Sequence, residues 1–145
     1  MSWRGRSTPA TSIGSGPRRV SAAALLEYLL GFVPDAPTDS FELRPHLPTG
    51  WPKMAFRGLR VGEDRFDVEV ERLERGHAVR VRSMASRPYR VVLRWDAPLG
   101  APLAVVVDGE QVSEDDLAHF EHFEQQSVRT APELLRAGGT LSFEM

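Results

Sequence analysis

Apolar side chains at every second position are the pattern that most constrains this chain. In Phe66-Asp67-Val68-Glu69-Val70-Glu71 every odd partner is charged and every even one is apolar. A β-strand sends successive side chains to opposite faces, so this run is a strand with one wet face and one dry face. The same alternation recurs along most of the chain. Phe41, Leu43 and Leu47 alternate around Pro45, which marks an edge or a strand end. Met54 and Phe56 alternate, and Gly58 then shifts the phase to Leu59 and Val61, the mark of a bulge. Gly62-Glu63-Asp64 and Arg75-Gly76 read as turns.

Further along, Val79 and Val81 alternate with Arg80 and Arg82, and Tyr89, Val91, Leu93 and Trp95 form another inward row. Leu103 to Val107 reads as one continuous apolar strand, and Asp108-Gly109 is a hairpin signal. Leu141, Phe143 and Met145 read as a last strand after the Gly138-Gly139 turn. Short strands at this spacing predict a mainly β domain, an antiparallel β-sandwich over residues 40–145. Ser113 to Arg136 is open between a capped helical turn, with Ser113 and Asp116 as a capping pair, and further strand.

One helix precedes the sandwich. Ser21 suits its N-cap, and Ala22, Leu25, Leu26, Leu29 and Leu30 fall on one stripe with Glu27 off it. Gly31 suits a left-handed stop and Pro34 prevents resumption. So short a helix is marginal alone and needs a surface for Leu25, Leu26, Leu29 and Leu30: either the sandwich or a partner. Residues 21–39 thus read as helix and linker. Residues 1–20 are rich in Ser, Thr, Gly, Pro and Arg, have almost nothing to bury, and read as a disordered tail without the apolar core of a signal peptide. The expectation is a cytoplasmic protein.

Composition excludes several functions. The net charge of −2 offers no electrostatic reason for a nucleic acid or anionic membrane partner. With no cysteine, thiolate catalysis and disulfides are ruled out. His119-Phe120-Glu121-His122-Phe123-Glu124 does not match zinc-protease spacing and reads as a solvated surface with Phe anchors; no metal or cofactor is expected. Glycoside hydrolysis needs two carboxyls across a sugar, but Asp64, Asp67, Glu69, Glu71 and Glu114-Asp115-Asp116 lie at turns or on wet strand faces. Catalytic residues are therefore none. Trp51 either stacks on a sugar ring or plugs the end of the sandwich. Beside it, His46 and Tyr89 complete the set of candidate carbohydrate contacts.

Three segments together, AAALLEYLLGFVPDAP, FELRPHLPTGW and FRGLRVGEDRFDVEVER, resemble the C-terminal end of bacterial six-hairpin glycoside hydrolases. These include glycogen-debranching or amylo-1,6-glucosidase-like proteins, with α-L-rhamnosidases and glycoside phosphorylases as relatives. The VVVDGEQV hairpin is similar to a later one of that domain, and the likeness covers Ser21 to Val112. It implies that the helix is the last one of an α/α-barrel and that the rest is the β-domain behind it. The barrel, which supplies both catalytic carboxyls in such enzymes, is missing beyond that helix. The resemblance thus implies a non-catalytic accessory domain, as a truncated product, a remnant or a subunit, with a helical-barrel glycosidase as partner. The other reading is a stand-alone carbohydrate-binding module.

Overall fold

The computed structural model describes residues 22–101 and 103–145. The tail and the Ser21 cap lie outside them. A helix, α1, begins as an α-turn over Ala22–Leu25 and widens into a π-helical stretch over Leu26–Leu30. Twelve strands follow among the described residues: β1 (Val33–Asp35), β2 (Ser40–Leu43), β3 (Lys53–Val61), β4 (Asp64–Arg72), β5 (His77–Ser83), β6 (Tyr89–Pro98), β7 (Val106–Val107), β8 (Glu110–Gln111), β9 (Leu117–His122), β10 (Gln125–Thr130), β11 (Glu133–Leu135) and β12 (Thr140–Glu144). They form two sheets. The first runs β9-β10-β6-β2-β1, with β11 also on β6, and the second runs β3-β4-β5-β12-β7-β8. The protein is mainly β and sandwich-like, as the alternation predicts.

The core lies between the sheets. The Phe41 ring meets Phe66 at 4.8 Å between centroids, and Phe66 meets Tyr89 edge-on at 4.7 Å, which ties β2 and β6 of one sheet to β4 of the other. Phe66, Val68 and Val70 are buried, as are Val79, Val81, Val91, Leu93, Leu141 and Phe143. The bulge is where the phase shift puts it: the β3–β4 register slips between Phe56 and Leu59. Gly58 sits there at φ 69° and its N–H donates to Asp67 Oδ1 at 2.9 Å.

Several expectations are corrected. The sandwich is not wholly antiparallel, because β2 pairs in parallel with β6, Phe41 beside Val91 and Leu43 beside Leu93. The linker is not merely a link: Val33–Asp35 pairs with β2 and extends the first sheet. Leu103–Val105 is not strand, since β7 runs beside only Phe143 and Glu144 of β12 and leaves those residues no ladder partner. The ambiguous stretch resolves into both forms. Ser113 Oγ accepts from the Asp115 amide above a 3₁₀ turn over Glu114–Asp116, and the β9–β10 hairpin follows.

Helix α1 docks on the sandwich by its last turn. Leu29 and Leu30 are buried and Leu26 packs at their margin. Leu25 does not share that burial; the sandwich reaches only the final turn, and Leu25 stands 41% exposed one turn earlier. Gly31 ends the helix at φ 56°. A Cβ there would also lie 2.7 Å from the Arg44 Cβ, so the stop and the close crossing both require glycine. Among the described residues, no helix is long and apolar enough to cross a membrane.

Candidate functional site

The least satisfied polar group in the interior is Asp96, near the end of β6. Its side chain is only 10% exposed. Oδ2 accepts from Arg44 Nε at 2.8 Å and from His46 Nε2 at 2.8 Å. Oδ1 is buried with no hydrogen-bond partner among the described residues. Burial raises the Asp96 carboxyl, but the hydrogen bonds and charges of Arg44 and His46 outweigh it and hold the group below its ordinary value.

The backbone explains why Arg44 and His46 stand there. The last carbonyls of a helix have no partner inside it. Here Leu30 O accepts from the Arg44 amide at 2.8 Å and Leu29 O from the His46 amide at 2.7 Å. Pro45 between them is buried and donates no hydrogen bond. Residues 44–46 thus cap the helix with their backbone and grip Asp96 with their side chains. Helix, loop and β6 are bound at one point.

Two open clefts meet at Asp96. One, of about 320 Å³, is lined by Arg44, Arg94, Phe120, Phe123, Ser127 and others; there Arg94 lies over the Phe120 ring at 4.8 Å. The other, of about 310 Å³, is lined by His46, Arg72, His77 and Trp95 among others. His77 packs on Trp95 at 4.8 Å, and its pKa is lowered, first by burial and then by Arg72. Such a histidine favours the neutral form and can accept from Arg72 Nη1 at 3.3 Å.

The three proposed sugar contacts are not brought together. His46 belongs to the Asp96 cluster. Trp51 is 46% exposed and stands beside the second cleft through Arg72, whose Nε donates to the Trp51 carbonyl at 3.3 Å. Tyr89 is a correction. Its ring is buried between the sheets against Phe66, and its hydroxyl donates to Asp64, so no sugar can reach it.

The acidic strand faces are closed by ion pairs. Arg80 bridges Glu69 and Glu71, both at 3.1 Å, Arg57 meets Asp67 at 3.5 Å and Arg87 meets Asp64 at 3.2 Å. Asp67 and Glu69 are accordingly half-exposed rather than free in water. One carboxyl that the sequence does not single out, Glu133, is raised by burial first, then by Asp108 and Asp116. Asp108 is itself engaged, accepting from the Ser142 amide at 2.9 Å. In the His119–Glu124 run the Phe anchors need correcting: Phe120 is 42% exposed under Arg94, and Phe123 is 86% exposed at the hairpin tip, at φ 54°, against the His122 ring. Among the described residues, no three His, Asp or Glu side chains gather as a metal site would require.

Sequence reasoning passes over Asp96, Arg44 and Arg94. Asp96 alternates with Trp95 as any outward strand residue does, and its partners are about fifty positions away, so no local pattern marks it. No protein family, curated protein or solved structure matches this chain.

Proposed function

We propose that the chain is a non-catalytic accessory β-sandwich that packs against a helical-barrel glycoside hydrolase domain acting on α-glucans or related glycosides. One observation supports this reading above others: helix α1 is two-faced. Its inner side, Leu29 and Leu30, is locked to the sandwich, while Leu25 and, at 73% exposure, Tyr28 are left in water. An exposed leucine and tyrosine one turn apart, on a helix already fixed to its β-domain, make an apolar strip that a neighbouring helix can cover. The resemblance of SAAALLEYLLG to a barrel's last helix supplies the kind of neighbour.

The second reading, a stand-alone carbohydrate-binding module, draws on the half-exposed Trp51, whose carbonyl accepts from Arg72, a residue that lines a cleft with His46. One pair of measurements separates them. The chain is titrated calorimetrically into a glycogen-debranching-type barrel whose own β-domain has been deleted, and maltooligosaccharides are titrated into the chain while tryptophan fluorescence is followed. The accessory reading expects binding to the barrel that Tyr28→Asp weakens about tenfold, with unchanged thermal stability. No binding to the barrel, together with a sugar-dependent signal lost in Trp51→Ala, would replace it with the second reading.

A further inference from the structure

The sheet edges are protected unequally. β1 has three residues and contains Pro34, β11 has three, and β8 has two. β3 carries Lys53, Arg57 and Arg60 and is bent by its bulge. Short length, proline, positive charge and bulges are the devices that stop a sheet edge from pairing with another chain. β9 has none of them. Its six residues include no proline, lysine or arginine, its register with β10 is unbroken, and Ala118 to His122 are exposed. Among the described residues, no strand pairs with its outer side.

The hairpin determines which backbone groups face outward. His122 and Gln125 flank the two-residue turn Phe123-Glu124, and such a pair exchanges both its hydrogen bonds within the hairpin. By alternation Phe120 and Ala118 also point inward to β10, and His119 and Glu121 present their N–H and C=O outward. A second β9 laid antiparallel about a two-fold axis at Phe120 matches these outward groups. It sets His119 of each copy opposite Glu121 of the other and Phe120 against Phe120. The adjacent registers, centred on His119 or Glu121, set like against like. An imidazole can donate to a carboxylate that faces it across a ladder, whereas two carboxylates facing each other repel. The strand is therefore complementary to itself in one register.

We propose that β9 is a homodimerisation edge, through which two copies of the chain join in the register centred on Phe120 and merge their first sheets into one. A two-fold pairing of this kind is closed and leaves no further edge for growth at that site.

The test is sedimentation velocity on the full chain from about 1 μM to about 1 mM. A concentration-dependent dimer is expected. Glu121→Arg removes the carboxylate that faces His119, and His119→Asp sets anion against Glu121. Each occurs twice in a dimer, and each variant should associate about tenfold more weakly. An equal mixture of the two variants should recover the dimer, because the mixed pair restores one His119–Glu121 contact and sets the introduced arginine against the introduced aspartate. Misfolded variants could not rescue one another. In hydrogen exchange the His119 and Glu121 amides should gain protection only as the dimer forms. A parent chain that stays monomeric, variants that dimerise as well as the parent, a mixture that does not recover, or protection of those amides already in the monomer would each overturn the proposal.

Discussion

The two sheets treat their outer faces differently. On the second, the charged residues of β4 close with the strands beside them: Glu69 pairs with Arg80 opposite it on β5, and Asp67 pairs with Arg57 of β3. On the first, the polar groups reach across the fold. Asp96 is held by residues from a loop about fifty positions earlier, Arg94 lies over Phe120 from another hairpin, and the edge strand has no outer partner among the described residues. Strands joined by consecutive hairpins, as β3, β4 and β5 are, satisfy their surface with neighbours in sequence. The first sheet, assembled from distant segments, leaves among the described residues a carboxylate oxygen without a partner, exposed rings and an open edge, which is where binding is to be sought.

Breaking the second sheet from inside should have the largest effect. Val68→Asp places a charge between the sheets with no partner, at a cost of several kcal/mol. That is a large part of the roughly 5–15 kcal/mol that holds such a domain together. Circular dichroism should show the variant largely unfolded in buffer. A cooperative urea transition near that of the parent would mean that Val68 does not face the core.

The same locality explains what the sequence reveals. The Gly58 bulge, the Asp108-Gly109 hairpin, the alternation of β4 to β6 and the Gly31 stop are set by a residue and its neighbours, so each is legible. The parallel pairing of β2 with β6 joins residues about fifty apart and leaves no mark on either strand. The open stretch from Ser113 to Arg136 becomes a hairpin because β6 offers Arg94 to Pro98 as a template, an influence of tertiary structure over local preference. Tyr89 reads equally as core or as contact, and only Asp64 below its hydroxyl decides it. Of the Asp96 cluster the sequence marks only His46; Trp51 stands outside it. Asp96, which organises the cluster, is not marked, because its role comes from partners and not from its own strand.

A smaller effect sharpens the comparison at Asp96. Its carboxyl is held below the ordinary value of about 3.9, so its charge stabilises the fold fully above that value. The contribution is lost as pH falls through the lower, folded value. Asp96→Asn removes the charge but keeps an acceptor for Arg44 and His46. It should cost about 1.5–3 kcal/mol at neutral pH, the order expected for a hydrogen bond to a charged group. The gap between parent and variant, measured by urea unfolding, should narrow as pH falls below about 4. A gap that stays constant into acid would mean that Asp96 is not ionised in the cluster.

The smallest effect belongs to the locally closed face. Glu69 meets Arg80 at 3.1 Å and Lys53 at 3.9 Å, but the three side chains are a third or more exposed, and Arg80 keeps Glu71 when Glu69 is neutralised. Water and salt screen such pairs, and exposed ones contribute about 0.2–1 kcal/mol. Glu69→Gln should therefore cost about 0.5 kcal/mol in low salt, and less in 1 M salt, where the screening length falls to about 3 Å. Asp96→Asn should keep most of its cost under the same salt, because a carboxylate that is nine-tenths covered is poorly reached by ions. If Glu69→Gln proved the costlier change, or if both lost their cost equally in salt, the second sheet's pairs would be as much a part of the fold's integrity as the Asp96 junction. The distinction between a closed face and an open one would then have no energetic content.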